Sequence, residues 1–294
     1  MCKKPKRLRR AVGRGRGYSR LRGLNESFLK PFWERFPTER LAHRLTPPAV
    51  VTAARVELAA YDGPPLRIAF LSDLHAGPTT ATSLLTAAIA RVATLAPDVV
   101  LLGGDYVYFD ADNLERIAAP LAHMAARYPT YGIWGNHDLW ADDAYLGRRF
   151  ASLGVQMLRN QWARSLAGFP IDLYGVDDPW TGEPDFAPLA GAARPVILLC
   201  HNPDGLLLMQ RAHRADLMLC GHTHGGQVCR RDGRPYFVHA KTGTRFAGGR
   251  YEYEGRQLVV SKGLGTVEVP VRRHAPPEIV SVDVAAAPRY AGSL

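Results

Sequence analysis

The sequence predicts an α/β fold whose strands are largely buried. Three observations carry this. Short continuous apolar runs, such as "LRIAFL" at 66–71 and "VVLL" at 99–102, alternate with segments of helical period. The runs end on aspartate, asparagine or histidine rather than on filler. No internal repeat and no linker divides residues 50–285 into two units.

The elements follow in order. "LRIAFLSDLH" reads as a buried strand, and "TTATSLLTAAIARVATLAP" as a helix stopped by Pro97. "DVVLLGGD" is a strand, and "NLERIAAPLAHMAARYP" is helical despite Pro120. "YGIWGNHD" is a strand, and "DDAYLGRRFASLG" a helix ending at Gly154. The pattern then shortens. "VQMLRNQWARSLAGFPIDLYGVDD" alternates in brief pieces, as antiparallel strands and hairpins do. "PVILLCHNP" is a strand, "DGLLLMQRAH" a helix and "DLMLCGHTHGG" a strand. "RYEYEGRQLVVSKG" and "PEIVSVDV" return to strand patterns.

Charge divides the chain more sharply than hydropathy does. Of 37 Lys and Arg, ten lie in residues 1–23, which hold no acid, leaving 27 against the 27 Asp and Glu of residues 24–294. The globular part is therefore neutral, and the net charge of +10 belongs to an N-terminal arm. Its Gly/Arg-rich composition predicts disorder over 1–23. Residues 24–49 form a second, amphipathic segment, and 50–294 the main domain. Phe28, Leu29, Phe32, Trp33 and Phe36 share one helical face, with Lys30, Arg35 and Arg40 interleaved. Such a face either lies in a membrane interface or packs on the domain. Pro31 limits its regularity. The arm reads as an anionic-lipid binder first, with nucleic-acid binding or a solvated tail as alternatives.

No stretch reaches the ~20 apolar residues of a spanning helix. A charged start without an apolar run argues against a secretory signal, and the missing run argues equally against reading the Arg9–Arg10 pair as a twin-arginine export signal. Cys2, Cys200, Cys220 and Cys229 have no CxxC spacing and read as small buried groups in a reducing compartment. The expected location is cytoplasmic, peripheral on the inner face of the cell membrane.

The chemistry sits at five strand ends. Asp73 and His75 follow the first strand, Asp105 the second, and Asn136, His137 and Asp138 the third. His201 follows "VILLC", and His222 and His224 follow "DLMLCG". The carboxyl ends of strands are where open α/β sheets bind ligands. Residues two apart in extended chain point one way, so Asp73 and His75 can share a target, as can His222 and His224. Each piece alone has a bland reading: a turn after a strand, a Gly/Asn turn beside a helix cap, a core histidine. Five strand ends carrying such residues together do not. His43, His123, His213, His239 and His274 lack this placement and read as ordinary histidines. Oxygen and nitrogen ligands without thiolate suit Mn, Mg, Fe or Zn. Seven ligands (Asp73, His75, Asp105, Asn136, His201, His222 and His224) exceed one ion and indicate two, with a shared carboxylate.

In this order D-x-H, G-D, G-N-H-D, a strand-end His and G-H-x-H resemble the calcineurin-like metallophosphoesterases over about residues 65–285. The resemblance implies a four-layer α-β-β-α sandwich of two mixed sheets, with a dinuclear metal site at the carboxyl ends of the strands. It implies that Asp73, His75 and His224 hold one ion, that Asn136, His201 and His222 hold the other, and that Asp105 bridges. His137 would face the substrate and protonate the leaving group or stabilise charge, oriented by Asp138. Two divalent ions, manganese first and Fe, Zn or Mg otherwise, are the implied cofactors. "GHTHGGQ", "HNPD" and "LRN" further resemble a bacterial membrane-associated subgroup similar to UDP-2,3-diacylglucosamine diphosphatases, whose members often begin with a membrane anchor; here a basic arm stands in that place. The expected activity is hydrolysis of a phosphodiester or pyrophosphate bond in an amphiphilic, lipid A-type substrate. A cyclic-nucleotide or nucleic-acid phosphodiesterase with a polyanion-binding arm is the alternative.

Overall fold

A computed structural model describes residues 25–36 and 38–288. The basic arm of residues 1–23 lies outside the described residues. The chain builds two six-stranded mixed sheets packed face to face. The first contains β1 (Val50–Leu58), β2 (Leu66–Leu71), β3 (Val99–Leu102), β4 (Thr130–Gly132), β5 (Gln156–Met157) and β12 (Glu278–Ala286), in the order β1-β12-β2-β3-β4-β5. The second contains β6 (Gln161–Ala163), β7 (Asp172–Gly175), β8 (Val196–Leu199), β9 (Leu217–Cys220), β10 (Gly249–Tyr253) and β11 (Arg256–Val260), in the order β10-β11-β9-β8-β7-β6.

Continuous apolar runs become strands because both of their faces are covered. One face of β2 and β3 sends Ile68, Phe70, Val99 and Leu101 into the space between the sheets, against Leu173, Ile197, Leu217 and Val259 of the second sheet. The opposite face sends Ala69, Leu71, Val100 and Leu102 against the helices. Those helices are α3 (Thr82–Arg91), α4 (Ala118–Ala125) and α6 (Asp143–Ser152), which contribute Leu85, Ile89, Leu121 and Phe150. Over the outer face of the second sheet lie short 3₁₀ turns, which cover Leu198, Met218 and Leu258 with Phe186, Leu206 and Phe246.

Two details depart from the sequence reading. The segment "DGLLLMQRAH" is not an α-helix; it makes a single 3₁₀ stretch, Pro203–Leu207. Asn202 caps this turn, its Oδ1 accepting from the Asp204 amide, and the Asp204 carboxylate ties the turn to another loop by accepting from the Lys241 and Thr242 amides and from Trp180 Nε1. Pro120 falls in the first turn of α4, where a proline forfeits no hydrogen bond, so the predicted long helix splits into a 3₁₀ stretch, Ala111–Arg116, and α4. β1 was not singled out in the sequence. Its alternating burial at Ala54, Val56 and Leu58 becomes effective only through parallel pairing with the distant β12.

The amphipathic segment forms a π-helical turn (Asn25–Leu29), then α1 (Lys30–Arg35) and α2 (Thr38–Leu45). Pro31 sits at the start of α1, where it favours a helix rather than breaking one. No helix among the described residues is long and apolar enough to cross a membrane.

Candidate metal centre

The predicted residues meet at one edge of the sandwich, and both sheets contribute. β2, β3 and β4 deliver Asp73, His75, Asp105 and Asn136 from the first sheet. β8 and β9 deliver His201, His222 and His224 from the second. Simple alternation along extended chain does not aim them. Asp73, His75, Asp105, His222 and His224 all adopt left-handed backbone, with φ of 52, 43, 56, 70 and 53°. Non-glycine residues adopt this conformation at a cost, and such strain concentrates at functional sites.

Main-chain contacts hold these turns in place. The His222 amide donates to the Asp73 carboxylate at 2.9 Å, tying the two sheets together at the site. Close approach at this junction requires glycine: a Cβ on Gly221 would collide with Ser72 and Asp73, and one on Gly135 with Asp105. Asp138 acts on the same loop. Its carboxylate accepts from the amides of Asp105, Tyr106, Val107 and Gly135, and so fastens the Asp105 turn to α5 (Asn136–Ala141), the helix that carries His137.

The side chains fall into two outer clusters, linked by a third group of His75, Asp105 and His137. Asp73, His75 and His224 form the first, with His224 Nε2 3.5 Å from Asp73 Oδ1 and 3.1 Å from His75 Nε2. Asp105, His201 and His222 form the second, with His222 Nδ1 3.3 Å from His201 Nε2. Asp105 Oδ2 stands 3.4 Å from His75 Nε2 and 3.2 Å from His201 Nε2, between the two.

Ring orientation is set from outside the clusters. His201 Nδ1 contacts the Gly103 carbonyl at 2.7 Å, and His222 Nε2 contacts the His239 carbonyl at 2.7 Å. When each of these nitrogens carries its proton, Nε2 of His201 and Nδ1 of His222 present lone pairs to the cluster, as metal-ligating imidazoles do. Burial pushes His75 down to about 4 and His222 down to about 3, which keeps both rings neutral and able to ligate at pH 7. Burial alone would push His201 down and Asp105 up, but without a metal the two reverse this for each other: the carboxylate pushes His201 well up, and the charged ring, with His137, holds Asp105 well below the usual carboxylate range; a bound cation would take the place of that proton. Asn136 Oδ1 and His75 Nδ1 are buried without a hydrogen-bond partner, and an orphaned carbonyl oxygen beside such clusters fits a cation. The donor set therefore suits a pair of hard or borderline divalent ions.

The site opens into a cavity of about 690 Å³. His137 lines it, half-buried, with its ring 4.8 Å from those of His75 and Trp140. Tyr108, Trp140, Trp180, Phe237 and Val267 give the cavity an apolar wall, and Trp180 lies 4.3 Å from the His222 ring. Several of these residues were missed in the sequence. His239, read as an ordinary histidine, lines the cavity and anchors His222 through its carbonyl. The signal for Trp180 was available: "GVDDPW" ends β7 as the other polar motifs end their strands.

Asp178, in that motif, is fully buried, and one of its carboxylate oxygens is unsatisfied. Burial pushes it up to about 7. An unfolded aspartate releases its proton near pH 3.8, whereas this one keeps it until about 7, so between those values folding binds a proton and stability falls as pH rises. Asp178→Asn preserves an acceptor for the Trp180 and Thr181 amides and lacks this penalty. Its Tm advantage over the parent, measured in chelator, should grow from pH 4 to 7 and then level off. A pH-independent difference would show that Asp178 is ionised throughout.

A family profile for calcineurin-like phosphoesterases matches residues 66–226, just over half of the chain. Phosphodiesterase YaeI of Escherichia coli is 34% identical over 229 residues, covering 75% of this chain and 82% of that protein. A transmembrane protein with a metallophosphoesterase domain from Bos taurus is 35% identical over 84% of this chain, and the match spans only 60% of the bovine protein. An uncharacterized metallophosphoesterase of Helicobacter pylori is 30% identical over 73% of this chain and 58% of its own length. Among solved structures, a dimetal phosphatase from Danio rerio superposes with a TM-score of 0.46 at 13% identity, over 68% of this chain and 88% of that one. On the profile match and the extent of the similarity to the E. coli protein, the chain belongs to the calcineurin-like phosphoesterase family.

Proposed function

We propose that the protein hydrolyses a phosphodiester or pyrophosphate bond with two divalent metal ions. Asp73, His75 and His224 would hold one ion, Asn136, His201 and His222 the other, and Asp105 both. The observation that carries this reading is the position of Asp105 between two clusters of buried imidazoles and carboxylates. When bound, the ions would polarise the phosphoryl oxygens and favour a hydroxide nucleophile at neutral pH. The remaining work belongs to the chain. The Gly103 and His239 carbonyls fix the tautomers of His201 and His222. His137, at the cavity wall, hands a proton to the leaving oxygen or stabilises its charge. Asp138 orients His137 by fastening the helix that bears it to the Asp105 loop. Oxygen and nitrogen donors put manganese first, with Fe, Zn or Mg also fitting.

The apolar cavity wall favours a substrate with an acyl or aromatic part beside its phosphate. An amphiphilic diester or pyrophosphate, such as the UDP-2,3-diacylglucosamine of lipid A synthesis, fits this wall and the basic arm together. Action on it would take place at the inner face of the cell membrane. The name of the E. coli relative supports diester chemistry. The test is a comparison of kcat/KM on UDP-2,3-diacylglucosamine, a cyclic nucleotide, bis(p-nitrophenyl) phosphate and the monoester p-nitrophenyl phosphate, with Mn²⁺ and the full chain. The amphiphile should lead. A leading cyclic nucleotide would overturn the substrate class, and activity confined to monoesters would overturn the reaction.

A further inference from the structure

We propose that the mouth of the metal cavity is framed by two aromatic, basic elements that insert together into an anionic lipid surface. One is the helical segment around Phe32, and the other is the hairpin that carries Tyr236 and Phe237. This rests on the amphiphilic-substrate reading and extends it by assigning the docking surface to residues.

The N-terminal segment divides its aromatics between the domain and the solvent. Trp33 turns inward, and its Nε1 donates to the Glu268 carbonyl at 2.8 Å. Lys30 pairs with Asp110 at 2.6 Å. Glu268 and Phe109, the neighbour of Asp110, both line the cavity, so these contacts moor α1 at its mouth. Phe28, Phe32 and Phe36 face outward, 70, 46 and 51% exposed. From a segment some 200 residues later in the sequence, Tyr236 and Phe237 line the same cavity and are 67 and 62% exposed. Two exposed aromatics line the opening and three more stand on the segment moored beside it, which together mark an interaction surface rather than scattered apolar residues.

Charge identifies the occupant. Arg230, Arg231 and Arg234 are exposed beside Tyr236, with the Arg230 guanidinium 5.5 Å from its ring. The ten Lys and Arg of residues 1–23 precede the helical segment. The nearby acids are engaged locally: Asp232 lies 3.7 Å from Arg234, and Glu34 lies 3.9 Å from Lys30. The described lining of the cavity itself contains no Lys or Arg. Cations outside an apolar opening suit a bilayer, where rings enter the acyl boundary and basic groups meet headgroup phosphates. A nucleic-acid strand threaded to the metals would instead need basic groups along the cavity.

Sedimentation of the full chain with vesicles tests this. Vesicles of phosphatidylcholine and phosphatidylglycerol at 3:1 should bind it, those of phosphatidylcholine alone far less, and binding should weaken with NaCl without vanishing. Tyr236→Ser with Phe237→Ser should lower the salt-resistant binding by about tenfold or more, and Phe28→Ser with Phe32→Ser by a similar factor. The helical variant should retain hydrolysis of bis(p-nitrophenyl) phosphate, which shows that it is folded. Hairpin variants that bind as the parent does would overturn the proposal, as would a parent chain that ignores anionic vesicles and binds single-stranded DNA. Vesicle binding by a chain that cleaves no diester would support the docking surface and overturn the reaction.

Discussion

Asp105→Asn is expected to strip the purified protein of both metal ions and so of activity. The carboxylate faces His75 on one side and His201 on the other, at 3.4 and 3.2 Å. An amide offers one neutral oxygen in place of two that share a negative charge, and the desolvated cluster has lost its common anion. Losing even an outer-sphere partner of a metal ligand costs 10–100-fold in affinity, on the order found at other sites, and a shared ligand should cost more for each ion. Asn136→Ala should behave differently: its orphaned Oδ1 is proposed to hold the second ion alone, so on that assignment one metal should remain. Elemental analysis of the two variants checks both statements. Equal metal content in the two would show that Asp105 is not shared.

His137→Ala should retain metal and lose turnover by ~10²–10⁴, the usual worth of a positioned general acid. The ring lies against the first cluster, yet it also lines the cavity that would hold the leaving group. The two positions imply different outcomes, and the leaving group separates them. An alkoxide needs the proton and a nitrophenolate does not, so the loss should shrink markedly on an aryl diester. An equal loss on both would assign His137 to charge stabilisation. Loss of metal in this variant would make it a ligand.

Much of the site was legible because its signal is local. Each strand is a buried apolar run, and each ends within a few residues of its polar cargo, so Asp73, Asp105, His201 and His222 could be placed at strand ends without knowing the sheet order. Which sheet each strand joins was not legible, because pairing depends on contacts far apart in the chain, as with β1 and β12. The aiming of the side chains was also hidden. Extended alternation suggested that Asp73 and His75 point together, but left-handed turns bring them there, and left-handed φ at a non-glycine residue leaves no compositional mark. The cavity wall was the least legible part. Trp180, Tyr236 and His239 reach it from loops whose path is set by contacts such as those of Asp204 to the Lys241 and Thr242 amides. The aromatic face near Phe32 was read as either packed or interfacial, and the structure assigns Trp33 inward and its neighbours outward.

The central claim is a pair of metal ions joined by one carboxylate. Its most direct test is titration of the chelator-stripped full chain with Mn²⁺, following bound metal and hydrolysis of bis(p-nitrophenyl) phosphate in the same samples. Binding should saturate near two ions per chain, with activity rising as the second is taken up. Full activity at a saturating stoichiometry of one would contradict the account.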